Sequence, residues 1–341
     1  MKQERKRGLS FRQCLTAGLS TDPADRARAT AAFAHVYRHI GLTPVPVIWV
    51  GSPWSASVLL HTLSRAVQLR ETQKFVEQLN QARLQQGLSP LPLPPSSYAQ
   101  VGWGLGAEEA PEVYWIEDTA IAEGSRLVPC EWGDEGPHQP EDLGMDVSAK
   151  DLQSIMESSA LKEKLKTGAD AGLWAQWGFW QRADGLLGDS GDHAACAALG
   201  YLADSLWGLG SLITAALYRS WQNSAGYIPV DACRTHWQGQ WDVGHVAHWR
   251  SHADAGGHET SLDAGDLLRP FDEIGQSCGW WYPRDGLIIA CDRPAVMQVE
   301  EDPAHPEYFR AHASGAPAIQ FRDGWTIYAR HGVYEAYAHE S

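Results

Sequence analysis

The sequence predicts an α+β fold: helix-rich N-terminal and central regions followed by a C-terminal antiparallel β-meander. Three observations carry that expectation. Apolar residues recur at helical spacing behind recognisable caps through the first two-thirds of the chain. After Gly275 the pattern changes to short apolar runs separated by Asp-Gly and His-Gly turns. With 341 residues, 44% of them hydrophobic and 20% charged, the chain can bury a core without help from a disulfide or a structural metal.

The elements follow in order. Asp22 is placed to cap a first helix with Pro23 at its first position, Phe33, Val36, Tyr37 and Ile40 form its apolar stripe, and Gly41 ends it. Pro46–Val50 is a short apolar run of strand character. Gly51-Ser52-Pro53 then turns into a second helical stretch, in which Val58, Leu59, Leu63, Ala66 and Val67 repeat at helical spacing towards Leu84. The proline-rich segment Gly87–Ser97 is a loop and divides a helical region, residues 1–90, from a second region, residues 98–341. The two are expected to form one compact unit. Glu131–Asp151 holds seven acidic residues and one lysine, the composition of a solvated surface segment or, alternatively, of a binding loop for a cationic partner. Asp151–Lys166 reads as an amphipathic helix, Trp174, Trp177 and Trp180 as a tryptophan edge, and Ala194–Tyr218 as a closely packed apolar helix. That last stretch carries only Asp204 as a formal charge, but its Ala, Gly and Ser content suits a buried helix better than a membrane span. From about Gly279 onwards, Gly279–Pro283, Leu287–Cys291, Ala295–Val299, Pro317–Arg322 and Trp325–Arg330 read as strands, with turns at Asp285-Gly286, Asp323-Gly324 and His331-Gly332.

Charge and cysteine usage narrow the function classes. Lys plus Arg is 27 against 42 for Asp plus Glu, a net charge of −15, which argues against a nucleic-acid partner. The six cysteines form no CxxC pair, so they read as reduced thiols in a cytoplasmic protein. The chain is also unusually aromatic, with 16 Trp against 7 Phe. Such rings build either a core or a ligand-stacking pocket.

Certain motifs carry a resemblance. Gly279-Trp280-Trp281-Tyr282-Pro283 is followed by Asp292-Arg293-Pro294, then Arg310-Ala311-His312, Gly315-Ala316-Pro317-Ala318, Phe321-Arg322-Asp323-Gly324-Trp325, Tyr328 and His331-Gly332-Val333. Upstream lie Ile48–Pro53 and Gly239-Gln240-Trp241-Asp242. Together these resemble the tryptophan-rich bacterial DUF6745 family across nearly the whole chain. Two departures stand out: the family's Asn-x-Asp before its Gly-Pro-Ala segment reads Ala313-Ser314, without the acidic residue, and His245 and His248 stand where aromatic and aliphatic residues are usual. The resemblance implies a cytoplasmic bacterial protein and no particular activity.

Five of the 14 histidines fall between His236 and His258. On a helix running to Gly256-Gly257, Asp242, His245, His248 or Trp249, and His252 share one face. Asp242 one turn before His245 suits acid–base chemistry, with His248 as a further member of the site. The i, i+4 pair His248 and His252, with His258 beyond the helix end, suits a divalent transition metal. A single zinc cannot easily take both His245 and His252, which lie about 10.5 Å apart along the axis. Arg293 is a rival anchor for a carboxylate or phosphate, and Asp323, Trp325 and His331 gather around one hairpin. Trp241, Trp249, Trp280, Trp281 and Trp325 are the candidate stacking residues for a small molecule or peptide. Two function classes follow: an enzyme with a tryptophan-lined pocket and His/Asp acid–base or metal-assisted chemistry, or a non-catalytic interaction module of a bacterial gene cluster or conflict system.

Overall fold

The structure, a computed structural model, describes residues 11–91, 113–116, 127–130, 193–225, 236–255 and 262–335, with shorter pieces between 158 and 173 and at 233. The acidic segment after Cys130, the edge formed by Trp174, Trp177 and Trp180, and His258 lie outside these residues. So does most of the Asp151–Lys166 stretch, of which Leu161–Lys164 is helical. The fold is α+β, as expected, with helices before a set of small, mostly antiparallel sheets.

Its centre is a three-stranded sheet in the order β1–β5–β4, formed by Val47–Val50 (β1), Ile288–Cys291 (β5) and Trp281–Pro283 (β4). β4 and β5 are an antiparallel hairpin closed at Asp285-Gly286, where the Arg284 N–H donates to the Leu287 carbonyl at 3.0 Å. β1 joins β5 in parallel, pairing Val47 with Ile288 and Val50 with Cys291 across some 240 residues of chain. Side chains alternate across this sheet, and both of its faces are buried. Ile48, Val50, Ile289, Cys291, Trp280 and Tyr282 enter one core cluster; Trp49, Ile288, Ala290 and Trp281 enter the other. Burial on both faces explains why these strands read as continuous apolar runs.

Helices cover both faces. On the second lie α2 (Arg26–His39), with Phe33, Val36 and Tyr37 fully buried, and the later helix Leu262–Gly275. The cap of α2 is Asp25, whose side chain accepts from the Arg28 N–H, rather than the expected Asp22. The cause is tertiary: the Ala24 N–H donates to Asp292 Oδ1 at 2.7 Å and the Asp25 N–H to the Ser277 carbonyl at 2.8 Å. These bonds fasten the chain just ahead of α2, and the helix starts one turn later than expected. The unpredicted α1 (Phe11–Gly18) and the long helix α3 (Pro53–Gln85) lie on the first face. α3 starts as the sequence indicates, with Ser52 capping the Ser55 N–H and Pro53 at its first position.

The helix expected over Ala194–Tyr218 is present as His193–Ala225, and among the described residues no helix is long and apolar enough to cross a membrane. It crosses the helix Val243–Ala255 closely, since a Cβ on Gly244 would lie 2.8 Å from the Ala203 Cα.

Beyond the central sheet the tail forms β6–β9–β10 (Val296–Met297, Ile319–Gln320, Thr326–Ile327), β7–β8 (Val299–Asp302, His305–Ala311) and β11–β12 (Ala329–Arg330, Val333–Tyr334). A further hairpin, β2–β3, pairs Val113–Ile116 with Leu127–Cys130. The apolar pattern misses most of β7 and all of β8 and β12; β8, the longest of them, escapes because its outer half is polar and exposed. The Asp323-Gly324 turn is a three-residue loop closed by the Phe321 N–H donating to the Trp325 carbonyl at 2.8 Å, with Gly324 at φ +94°.

This turn is also a joint. Asp323 Oδ2 accepts from the Ser55 hydroxyl at 2.7 Å, Oδ1 accepts from the Trp325 N–H at 3.1 Å, and a Cβ on Gly51 would lie 2.6 Å from the Asp323 Cβ. A carboxylate is thereby seated at the positive N-terminus of α3. Asp323→Ala should cost about 1.5–3 kcal/mol, the range for hydrogen bonds to a charged group. Chemical denaturation checks this, and an unchanged midpoint would show that the joint carries no stability.

Candidate functional site

Asp242 lies at the corner leading into α6, the helix Val243–Ala255; α4 and α5 are Leu161–Lys164 and His193–Ala225, and α7 is Leu262–Gly275. Before it, Gly239–Trp241 forms a 3₁₀ turn. Gly239 sits at φ +57°, and a Cβ there would fall 1.8 Å from the Gly279 carbonyl oxygen, so no other residue fits. Gln240 is buried and donates its amide to the Gly18 carbonyl at 3.0 Å and to the Ser20 carbonyl at 3.2 Å. Asp242 Oδ2 accepts from the N–H groups of Gln238 at 2.7 Å and Gly239 at 2.9 Å. The carboxylate proposed to orient an imidazole therefore braces its own turn. Burial pushes the Asp242 carboxyl up to about 7, against the pull of those two amides towards lower values.

α6 presents His245 and His248 to α5. The His245 ring stands edge-on to Trp207 with centroids 5.5 Å apart, and a Cβ on Gly200 would lie 3.6 Å from His248 Cε1. The two histidines thus flank a close helix crossing. Further along, Arg250 pairs with Asp272 at 2.5 Å. Burial raises the Asp272 carboxyl to about 6, and Arg250 opposes that rise. The side chains of Trp249 and His252 lie outside the described residues, so the metal expected at His248, His252 and His258 finds no described geometry.

The tryptophans separate into core and rim. Trp241, Trp280 and Trp281 are all fully buried. Trp281 contacts Phe33 at 4.7 Å and Trp237 at 6.2 Å; Trp280 stacks on His236 at 4.1 Å with the rings 9° from parallel. Burial lowers the His236 imidazole to about 4 and raises the Tyr282 hydroxyl well above its ordinary value. These rings are packed as core, not as the wall of an open cleft. The neighbouring thiols are poor nucleophiles, since burial pushes Cys14 and Cys233 up to about 12. Arg293, expected to hold a ligand's carboxylate or phosphate, is buried and donates to the Ser20 hydroxyl and the Gly275 carbonyl, each at 3.2 Å.

Of the three expected neighbours around the tail hairpins, Asp323 and Trp325 stay joined through the Trp325 N–H, and His331 makes its contacts elsewhere. Asp323 binds Ser55, and Trp325 stacks on Phe321 at 5.3 Å while donating to the Ser220 hydroxyl at 3.3 Å. His331 instead meets Glu300, with Nδ1 and Oε1 2.6 Å apart, and stacks on His312 at 4.5 Å. Sequence reasoning missed Glu300 and His312. Their signal is register: Glu300 pairs with Arg310 across β7–β8, which places the end of β8 beside it. Also missed was the outer face of α5, where Tyr201 and Trp207 are exposed and Tyr201 meets Tyr308 of β8 at 5.1 Å.

The raised Asp242 carboxyl makes stability depend on pH. Its folded value of about 7 lies above the ordinary 3.8, so the folded state holds the proton longer. The stabilising contribution is complete below about pH 4 and is lost as pH rises through about 7. Asp242→Asn keeps an acceptor oxygen and removes the titration. Relative to that variant, the natural protein should lose stability between pH 4 and 8 in denaturant unfolding; a gain over the same interval would contradict the assignment.

Comparison with protein-family models, with curated proteins and with solved structures finds no match to this chain, so its site is read from its own geometry alone.

Proposed function

We propose that the protein is a non-catalytic interaction module that binds a cationic peptide segment on the outer face of α5. One observation carries this reading: two exposed aromatic groups flank a carboxylate there. Tyr201 packs on Tyr308 along one edge, Trp207 packs on His245 along the other, and Asp204 lies one turn from each on the exposed face between them. Gly208 and Ser211 continue that face, and a Cβ on Gly208 would meet nothing within 4 Å. Glu307 adds a second carboxylate beside Tyr308: burial first, then Asp204, Tyr201 and Glu307, raises the Tyr308 hydroxyl. The Phe309 N–H donates to the Ser205 hydroxyl at 3.1 Å and locks β8 to α5, so the patch is preformed.

Aromatic faces beside carboxylates suit arginine and lysine through cation–π attraction and ion pairing. The acidic chain, with a sequence pI of about 5.3, favours the same partner. The enzymatic reading is the weaker one, because Asp242, Arg293 and the buried tryptophans are already engaged in holding the fold. Membership of the tryptophan-rich bacterial family and a cytoplasmic location belong to this proposal, supported by the tail motifs and the free buried thiols of Cys14, Cys233, Cys278 and Cys291.

The test is calorimetric titration with a tetra-arginine peptide, with tetra-glutamate as control. Binding should be weak and should fall with salt. Tyr201→Ala with Trp207→Ala should weaken it about fivefold or more, since each exposed cation–π contact contributes about 0.5–1 kcal/mol. Absence of binding, or equal binding by the double variant, overturns the proposal.

A further inference from the structure

We propose that Glu300, His312 and His331 form a binding site for one divalent transition metal ion that shares no residue with the α6 histidines or the α5 patch. The three side chains come from different parts of the tail: Glu300 from β7, His312 from the residue after β8, and His331 from the turn between β11 and β12. One ligand atom from each lies within 4.8 Å of the other two. Glu300 Oε1 is 2.6 Å from His331 Nδ1, and Glu300 Oε2 is 3.7 Å from His312 Nδ1. Zinc with ligand bonds of about 2.0–2.2 Å places its ligand atoms about 3.3 Å apart in a tetrahedron. Side-chain rotations of about an ångström close that gap, and imidazole and carboxylate terminal torsions are soft.

The surrounding backbone holds the three positions together. The His312 N–H donates to the Gln298 carbonyl at 3.1 Å, the Gly332 N–H to the Ala311 carbonyl at 2.8 Å, and the Ala313 N–H to the Ala329 carbonyl at 3.0 Å. The end of β8 is thereby clamped between β7 and the β11–β12 turn. Arg310 donates from Nε to Glu300 Oε1 at 2.9 Å and reaches Asp302 Oδ2 at 3.4 Å, which orients the carboxylate and leaves Oε2 towards His312. His312 Nδ1 accepts the His331 N–H at 3.2 Å, so its one lone pair is held by that hydrogen bond in the metal-free chain, and a metal ligated there takes its place. His312 Nε2 lies 3.5 Å from the Ser314 hydroxyl.

A second observation singles out His331. Among the described residues it is the only non-glycine with positive φ, at 52°. A two-residue turn with both central residues left-handed, as His331 and Gly332 are here, ordinarily takes Asn-Gly or Asp-Gly. Histidine carries backbone strain here, and its ring is brought against Glu300 and His312. The donor set, two imidazoles and one carboxylate, matches zinc or iron(II) centres that keep positions open. The His331 side chain is 55% exposed, so those positions face solvent.

Zinc is titrated calorimetrically into the full chain after chelator treatment, and cobalt(II) absorption reports the coordination. One equivalent should bind at micromolar affinity or tighter. His312→Ala and Glu300→Gln should each weaken it about 100-fold or more. His331→Asn is the control against misfolding, because asparagine tolerates the left-handed turn: it should keep the melting temperature of the metal-free chain and lose the metal. His248→Ala with His252→Ala should bind as the natural protein does. Failure to bind zinc below millimolar, full affinity in His331→Asn, or loss confined to the His248/His252 double variant would each overturn the site.

Discussion

The parallel pairing of Val47–Val50 with Ile288–Cys291 is the constraint on which the rest of the molecule depends. It joins the start of the chain to its tail and gives the β4–β5 hairpin a third strand. It also creates a sheet whose two faces can be covered separately. The Asp292 N–H extends the ladder by donating to the Val50 carbonyl at 2.9 Å, and Asp292 then fastens Ala24 and with it the start of α2. Closing so long a loop is entropically costly. Two clusters of fully buried large side chains offset it, with Trp280 and Tyr282 on one face and Trp281 and Phe33 on the other. Truncating any such aromatic ring to alanine costs about 3–5 kcal/mol.

Seen from this sheet, the motifs that stand out in the sequence share a physical purpose. The Gly-Gln-Trp-Asp corner needs glycine for the approach to Gly279, glutamine to hold the end of α1, and aspartate to brace the turn. Asp292 and Arg293 anchor the segment before α2 and the end of α7. Ser52-Pro53 opens α3, and Asp323 docks on that opening. Each motif is a joint between distant parts of the chain. Surfaces free of this duty lie elsewhere, on the outer face of α5 and around the stacked pair His312 and His331.

Local chemistry was legible in the sequence; long-range partnership was not. α3, α5 and α6 and the turns at Asp285-Gly286, Asp323-Gly324 and His331-Gly332 follow from caps, spacing and turn residues. The β1–β5 pairing leaves no periodic trace, because a strand buried on both faces shows no alternation. Asp22 offered as good a cap as Asp25 until hydrogen bonds from Ala24 and Asp25 to the tail settled the start of α2. A shared helical face brought Asp242 and His245 into one candidate site, but spacing carries no information on which neighbour occupies a carboxylate. Glu300 and His312 escaped notice for the converse reason: they converge with His331 only through the register of β7 with β8 and the fold of the last turn.

Native-state hydrogen exchange tests the central claim most directly. The amides in the parallel ladder, those of Ile288 bonded to the Pro46 carbonyl and Asp292 bonded to the Val50 carbonyl, should belong to the slowest-exchanging class together with those of β4 and β5. Their opening free energies should equal that of global unfolding, since β1 cannot leave the sheet without exposing both clusters. Exchange of the Ile288 and Asp292 amides at the rate of a fraying end, while the β4–β5 hairpin stays protected, would contradict the account by showing that the first strand is only loosely docked on the tail.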